Sequence, residues 1–573
     1  MTKIFLPCFL ASFCILFFTA GCQSTSTKVK KVDLILHGGT IYTLDTLQPT
    51  VEAVAVKDDE IVFAGTLTEA KRMAGEETTL YDLKGGTLTP GFIESHAHLM
   101  GLGRFKLQLD LRTTRSYTEM VQLVEEAIKT LPEGQWVEGF GWHQSKWDSL
   151  PTDVVRGFPV HDALSSISPD HPVFLEHASG HGAMANKNAM EIAGLFGDVT
   201  LEAGGEVIQK PGGGPTGMLI ERASELVSRH IPSPSPEKEQ QAIQAAFQDA
   251  LSHGITTFCD AGATTKDLEL MQSIRASDEL PLRVWVMLSG DDTALVNRWL
   301  IKGPQQDDWL TIRAIKLYAD GALGSRGAWL LKPYDDMPGQ TGHALMPIED
   351  IGEVARRGLE HGFQVCVHAI GDRANREVLN QFEQALSAFH PKTDHRFRIE
   401  HAQHLTEVDI PRFAELGIIP SMQAIHMASD RPWAINRLGF KRIQEGAYVW
   451  QKLLAAGSPV LNGTDAPIEP INPVPCFYAS VTRKTLAGTP DGGYEPSQRM
   501  TREQALKSYT LDAAYGAFLD HQRGSIEVGK KADFTWFDQD LLMVPESDML
   551  KTQVLGTMVG GEWKYRRSED LEN

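Results

Sequence analysis

Short apolar runs recur through the middle of the chain, and most of them are separated by segments with the spacing of amphipathic helices. Alternation of buried strands with helices is typical of a parallel α/β sheet whose two faces are both covered. Eight such runs predict strands near residues 88–96, 255–260, 283–288, 312–317, 364–368, 397–401, 418–422 and 459–464. The pattern therefore predicts an α/β fold in which eight parallel strands close into a (β/α)8 barrel of the TIM type.

The spacing of the runs also predicts how the chain is divided. About 160 residues separate the first two predicted strands, far more than one helical crossover needs. We therefore expect a large inserted subdomain at about 104–250, on the loop after barrel strand 1. Both chain ends carry short strand-like runs with turn residues between them. These ends predict a composite β-sandwich of residues 32–87 and 521–573 beside a barrel at 88–520.

Side chains with metal-binding chemistry stand at the ends of five predicted strands. They are His96 with His98, Lys316, His368, His401 and Asp465. The carboxyl ends of barrel strands meet at one face, and imidazoles and carboxylates suit divalent ions such as zinc. His96 and His98 alternate on one strand and so point to the same side. Such a pair standing alone would more simply be two surface histidines, but the other strand ends favour a shared metal site.

The number of ligands bears on how many ions the site holds. Four histidines and Asp465 are too many protein ligands for one tetrahedral catalytic zinc, which suggests two ions that share a bridge. We expect one or two zinc ions. Lys316 is the candidate bridge between two ions, because a neutral lysine can react with carbon dioxide to give an anionic carbamate. The alternative is that Lys316 is an ordinary salt-bridged lysine at a strand end.

Composition and charge exclude some classes of partner. The chain has 573 residues, 42% of them hydrophobic, so it can bury a large core. Its 74 acidic residues outnumber 54 basic ones and give a formal net charge of -20, which argues against a nucleic-acid partner. We expect a small-molecule substrate. A homodimer is a further expectation, for which no particular residue gives a signal.

The N-terminus resembles a bacterial lipoprotein signal. A short positive start precedes the apolar run at 4–18, and Thr19-Ala20-Gly21 then precedes Cys22. Thr19 stands where the usual lipobox has Leu, and an ordinary N-terminal membrane helix is the alternative. We expect a signal peptide at 1–21, a lipidated Cys22, a tether at 22–31 and attachment to the bacterial cell envelope. Gln23 after the cysteine favours the outer membrane in a Gram-negative cell.

The chain also resembles the amidohydrolase superfamily, in the amidohydrolase family 3 branch that includes N-substituted formamide deformylases. The resemblance covers nearly the whole mature chain and rests on several separated motifs besides the ligands. These are Ala178–Ala183 with Asn186, Gly214–Glu221, Asp320–Arg326, His368–Asn375, Ile399–Gln403, Ser421–Gln423 and Gly524–Asp533. Two positions depart from the family pattern: Ala424 replaces a Pro after Ser-Met-Gln, and Thr464 replaces a Ser before Asp465.

The resemblance implies a metal-dependent hydrolase for a non-peptide C–N bond, as in an N-acyl, formamide or cyclic amide substrate. Asp465 would then be both a metal ligand and the catalytic proton shuttle, and Lys316 would be carboxylated as in members with two metals. Residues within the matching motifs are candidates for the substrate pocket: His181, Asn186, Arg326 and Gln423. An ordinary structural hydrogen bond is the alternative for each. The alternative functions are a lactone or ester hydrolase with the same site, and a non-catalytic envelope binding lipoprotein.

Overall fold

The structure is a computed structural model that describes residues 31–144, 147–178, 182–197, 205–389 and 393–567. The predicted signal peptide and nearly all of the tether, including Cys22, lie outside these residues. Within the described ranges, no helix combines the length and the apolar character needed to cross a bilayer.

The described chain begins with five strands and one short helix that lie outside the barrel. They are β1 (Val32–Tyr42), β2 (Thr50–Lys57), β3 (Glu60–Gly65), α1 (Leu67–Arg72), β4 (Ala74–Asp82) and β5 (Thr87–Pro90). The barrel then starts with β6 (Phe92–Ala97) and α2 (Leu99–Lys106). The single strand predicted at 88–96 is therefore two strands. The first part, β5, pairs with β1 in the chain-end sheet, and only β6 enters the barrel.

An inserted subdomain follows α2. Its strands are β7 (Leu109–Asp110), β8 (Val137–Trp142), β9 (Val154–Val155), β10 (Phe158–Pro159), β11 (Val173–His177), β12 (Gly182–Ala185), β13 (Gly205–Gln209) and β14 (Pro215–Glu221). Its helices are α3 (Tyr117–Ile128), α4 (Asp162–Ile167), α5 (Lys187–Ile192) and α6 (Glu225–Ser228). Six of the strands form one sheet in the order β13-β14-β12-β11-β8-β7, and the subdomain buries its own apolar side chains.

The next helix, α7 (Pro236–Ser252), belongs with the barrel core although the expected insertion ran to about 250. It lies so close to α2 that a Cβ at Gly103 would stand 2.1 Å from the carbonyl oxygen of Ala242. Apolar residues along α7, among them Phe247 and Leu251, are buried in the same cluster as the barrel strands. The insertion as the structure has it therefore ends before α7.

The other seven barrel strands lie where the apolar runs predict them. They are β15 (Ile255–Ala263), β16 (Arg283–Ser289), β18 (Leu310–Tyr318), β19 (Gln364–Ala369), β20 (Arg398–His401), β21 (Ile419–Met422) and β22 (Leu461–Asn462), with the short β17 (Gln305–Gln306) beside β18. All seven neighbouring pairs from β6 to β22 are parallel. Two backbone hydrogen bonds of 2.8 Å, from Asp465 N to His96 O and from His98 N to Ala466 O, join the loop after β22 to the end of β6.

Helices surround the strands and cover their outer, apolar faces. They are α8 (Thr265–Ala276), α9 (Thr293–Lys302), α10 (Ile348–His361), α11 (Asp372–Ser387), α12 (Ile410–Leu416), α13 (Ala424–Gly446), α14 (Trp450–Ala455), α15 (Pro473–Thr482), α16 (Arg502–Ser508) and α17 (Leu511–Gly516). Local sequence fixes several of their starts; Thr264 and Asp267, for example, form a capping box that begins α8. The alternation of strand and helix confirms the predicted (β/α)8 barrel.

The C-terminal segment returns to the sheet begun by β1. It adds β23 (Phe534–Phe537), α18 (Glu546–Met549), β24 (Val554–Val559) and β25 (Glu562–Arg566). Strand β23 pairs antiparallel with β5, so both chain ends contribute to one eight-stranded sheet in the order β25-β24-β23-β5-β1-β2-β3, with β4 on β1. This sheet buries its own apolar cluster, which includes Leu36, Leu88 and Trp536.

Candidate metal centre

Three buried side chains from different barrel strands meet at the carboxyl ends of those strands. His96 is in β6, His401 ends β20 and Asp465 follows β22. One ligand atom from each lies within 4.8 Å of the other two, and all three residues are buried. This grouping is what the apolar runs predict, because parallel strands deliver their last residues to one end of a barrel.

His98 and His368 lie beside this group. The Nε2 atoms of His98 and His96 are 3.2 and 3.6 Å from Oδ1 of Asp465. The rings of His368 and His401 have centroids 4.5 Å apart. The structure thus brings the four predicted histidines and Asp465 together, with His96, His401 and Asp465 as the most compact set.

Lys316, in β18, is also part of the site. Its Nζ is buried, 3.5 Å from Nε2 of His96 and 4.5 Å from the centroid of the Tyr318 ring. Among the described residues no carboxylate forms an ion pair with this ammonium, which argues against the salt-bridged alternative. Burial lowers the pKa of Lys316, so the neutral amine is favoured relative to a lysine in water.

Two of the histidines are oriented by side chains behind them. Nδ1 of His96 is 2.5 Å from a carboxylate oxygen of Glu400, which also accepts hydrogen bonds of 2.7 and 3.0 Å from Arg398. Nδ1 of His401 is 2.6 Å from the side-chain oxygen of Gln423. With Nδ1 donating in each ring, Nε2 is left as an acceptor, which is the arrangement that a metal-binding imidazole needs.

Burial and neighbouring charges favour the ionisation states that bind a metal. Desolvation lowers the pKa of His96 to about 4 and that of His368 to about 3, and the pKa of His401 is also well below the usual value. Burial alone would raise the pKa of Asp465, but the imidazole of His98, 3.2 Å away, and the other imidazoles lower it overall. Neutral imidazoles around an ionised carboxylate are the protonation states that divalent ions require.

Two buried polar atoms of the site lack a hydrogen-bond partner within the described part of the chain, as expected where a metal ion binds. Asp465 Oδ1 and His368 Nε2 are buried and have no hydrogen-bond partner among the described residues. Buried polar atoms are nearly always satisfied, so both call for a further partner. A divalent ion ligated by imidazole and carboxylate supplies one, and the donor set matches zinc and similar metals.

The predicted substrate-pocket residues have different places in the structure. Gln423 orients His401, as described above. Asn186 is buried in the insertion, where it caps α5 and donates hydrogen bonds of 2.8–3.0 Å to Ser168 and His171, so its amide is fully used. Arg326 pairs with Asp336 at 3.0 Å in the loop after β18. His181 lies outside the described residues.

Sequence reasoning missed several polar groups that support the ligands. Arg398 and Glu400 are fully buried inside the barrel, and Glu94 accepts hydrogen bonds from His96 and Thr464 of 3.0 and 2.9 Å. Asp320 accepts three backbone hydrogen bonds from the loops after β18 and β19. The available signal was charge at alternate positions of an apolar strand, as in Arg398 and Glu400, which places both side chains on one face.

Comparison with known proteins identifies the family of the chain. A protein-family model with the description "Amidohydrolase family" matches residues 79–565 of the sequence. The chain belongs to the amidohydrolase family. Protein LONG AFTER FAR-RED 3 of Arabidopsis thaliana is 32% identical over 93% of this chain and 91% of its own. N-substituted formamide deformylase of Arthrobacter pascens is 26% identical over 94% and 99%.

A solved structure gives the same result for the fold. The crystal structure of an uncharacterized metal-dependent hydrolase from Pyrococcus furiosus superposes with a TM-score of 0.73, at 29% identity, and covers 89% of this chain and 99% of its own. The amidohydrolase barrel and the buried His/His/Asp group together support a metal-dependent hydrolase.

Proposed function

We propose that this amidohydrolase cleaves a non-peptide C–N bond in an N-acyl, formamide or cyclic amide substrate. The observation that carries the proposal is the buried group of His96, His401 and Asp465 at the carboxyl ends of the barrel strands. The 26% identity to an N-substituted formamide deformylase along nearly the full length of both chains supports an amide as the substrate class.

Asp465 has the position and charge of a proton shuttle. A divalent ion held by the histidines and Asp465 would polarise the substrate carbonyl and acidify a water molecule. Asp465 is kept ionised by the imidazoles around it, so it can take a proton from the attacking water. The same carboxylate then passes that proton to the leaving nitrogen as the C–N bond breaks. His96 and His401 are held in place by Glu400 and Gln423 throughout.

We further propose zinc as the ion and a carbamate on Lys316 as the bridge when two ions are present. Three observations support this role. Nζ is buried, it lies 3.5 Å from His96 Nε2, and no carboxylate among the described residues forms an ion pair with it. Of the five protein ligands only Asp465 is anionic, so two dications would keep an excess of positive charge. A carbamate on Lys316 would add a second negative charge.

Turnover of a substrate panel tests the proposal. The zinc-reconstituted protein without residues 1–21 is assayed against N-formyl and N-acyl amines, cyclic amides and lactones, next to Asp465→Asn and a control in which the exposed Asp491 becomes Asn. We expect turnover of at least one amide, a fall in kcat of about 100-fold or more in Asp465→Asn, and little change in the control. Turnover of lactones alone would indicate an esterase. Binding without turnover would indicate a binding protein.

The envelope location is a separate proposal. The short positive start, the apolar run and the small residues before Cys22 support a lipid anchor on that cysteine. These residues lie outside the part of the chain that the structure describes, so the proposal depends on the sequence alone.

A further inference from the structure

His426 is a polar side chain at the metal centre that the roles assigned above leave unused. It lies in the first turn of α13, directly after the seventh barrel strand β21, and its backbone N–H bonds to the carbonyl oxygen of Gln423 at 3.1 Å. Gln423 itself orients His401. The His426 and His401 rings are stacked, with an interplanar angle of 19° and centroids 6.0 Å apart. Gln423 therefore contacts His401 through its side chain and His426 through its backbone.

The Nε2 atom of His426 has no hydrogen-bond partner among the residues that the structure describes. Its side chain is only 12% exposed, and Nε2 is buried without a partner among the described residues. The nearest charged atom is Oδ2 of Asp465 at 3.8 Å, which is too long for a hydrogen bond. A buried imidazole nitrogen left unsatisfied costs free energy, so its persistence beside a substrate site indicates a partner that arrives with the substrate.

The two oxygens of Asp465 face different groups. Oδ1 lies 3.2 Å from His98 Nε2 and 3.6 Å from His96 Nε2, on the side of the ligands. Oδ2 faces His426. A substrate atom beside the 3.8 Å gap between Oδ2 and His426 Nε2 would be at hydrogen-bond distance from both. Since Asp465 passes the proton to the leaving nitrogen in the proposed function, that nitrogen is the atom expected there.

We propose that His426 is a catalytic residue that binds the leaving nitrogen of an amide substrate. This inference rests on the proposed amide hydrolysis. In the tautomer with its proton on Nδ1, His426 accepts at Nε2 a hydrogen bond from the N–H of the scissile amide. Asp465 then adds its proton to that nitrogen, the C–N bond breaks, and the amine leaves. His426 neither gains nor loses a proton in this step.

The proposal predicts which substrates the site prefers. A secondary or primary amide presents an N–H to His426, whereas an ester oxygen or a tertiary amide nitrogen has none to offer. Leaving the buried acceptor unpaired penalises such substrates, as in other sites built around a specific hydrogen bond. His426 is therefore a determinant of selection for amides that carry an N–H.

Ligand binding tests the proposal without requiring turnover. The zinc-loaded protein is titrated calorimetrically with acetohydroxamate, which has an N–H beside its carbonyl, and with N-methylacetohydroxamate, which has none. The variants are His426→Phe, which keeps a ring without an acceptor, and His426→Gln, whose amide oxygen can accept. Asn436→Ala, an exposed position on α13, is the control. Zinc content is measured for every protein.

We expect the ratio of the affinities for acetohydroxamate and N-methylacetohydroxamate to be about fivefold higher in the wild-type protein and the control than in His426→Phe. His426→Gln should recover part of this preference. The zinc content should be the same in all the proteins. Equal preference in the wild-type protein and His426→Phe, or no binding of either ligand, would overturn the proposal. Loss of zinc in His426→Phe would overturn it too, by making His426 a ligand. If the preference depends on His426 but no amide in the panel is hydrolysed, the proposed function fails and the binding role of His426 stands.

Discussion

The carboxylate of Glu400 links a buried arginine to a metal ligand, and its removal tests whether the protein or the metal holds that ligand in place. Glu400 lies 2.5 Å from Nδ1 of His96 and accepts hydrogen bonds of 2.7 and 3.0 Å from Arg398. All three side chains are fully buried. Burial would raise the pKa of Glu400, but Arg398 and His96 together lower it, so the group is ionised.

Two substitutions separate stability from metal affinity. Glu400→Ala leaves the Arg398 guanidinium buried without its counter-charge, a loss of about 3–5 kcal/mol in the free energy of unfolding for a broken buried pair. Glu400→Gln keeps the shape of the side chain but replaces the carboxylate by an amide. The His96 ring then loses its charged acceptor, and we expect the zinc affinity to fall by about 10–100-fold, as for other groups that orient ligating histidines.

Chelator competition measures the zinc affinity, and urea unfolding of the metal-free proteins measures the stability. Glu415→Gln, at an exposed position of α12, is the control for the loss of one carboxylate. The reasoning is refuted if Glu400→Gln binds zinc as tightly as the control, or if Glu400→Ala unfolds within about 1 kcal/mol of it. The first result would mean that Glu400 does not fix the orientation of His96, and the second that Arg398 does not need Glu400 as its counter-charge.

Three further predictions concern the bridge, the anchor and the junction of the two sheets. Lys316→Ala should lose metal and activity, with partial rescue by a short carboxylic acid, and metal-loaded wild-type protein should carry the added mass of carbon dioxide; full metal content in the variant would contradict the bridge. Cys22→Ser should release the protein from membranes or block its processing, and unchanged fractionation and mass would contradict the anchor. Asp533 is buried against Arg283 at 2.7 Å; burial raises its pKa, but the arginines lower it overall, below the unfolded value. Its contribution to stability should therefore be present above pH ~4 and decline below it. Asp533→Asn should flatten the fall in unfolding free energy below pH ~4, and an unchanged profile would refute this.

The sequence predicted the barrel and the grouping of the candidate ligands because both depend on local pattern. A strand covered on both faces must be an apolar run, and a ligand at its carboxyl end must follow that run directly. His368, His401 and Asp465 satisfy this rule. The division of 88–96 into β5 and β6 escaped prediction because both pieces are apolar and only the partner strands differ.

The supporting groups were less accessible, because their roles depend on contacts between distant strands. Glu400 and His96 are in contact although they are 304 positions apart in the sequence, and Glu94 and Thr464 although they are 370 positions apart. Asn186 is the opposite case. It stands directly before α5, where an Asn commonly caps a helix, so its structural role could have been read locally. Its presence in a motif shared with the family favoured the substrate pocket instead.

Backbone conformation at two candidate ligands indicates that the site is held ready by the protein. His401 and Asp465 have φ angles of 71° and 60°, in the left-handed region that costs a side-chain-bearing residue about 1–3 kcal/mol unless its surroundings enforce it. Glycine would relieve that cost, but it would remove the ligand. The enforcing contacts include the 2.8 Å hydrogen bond from Asp465 N to His96 O and the 2.6 Å contact of His401 with Gln423. Because these contacts come from the protein itself, the ligands keep their geometry before an ion binds. The binding free energy of the metal is then not consumed in reorganising the strand ends.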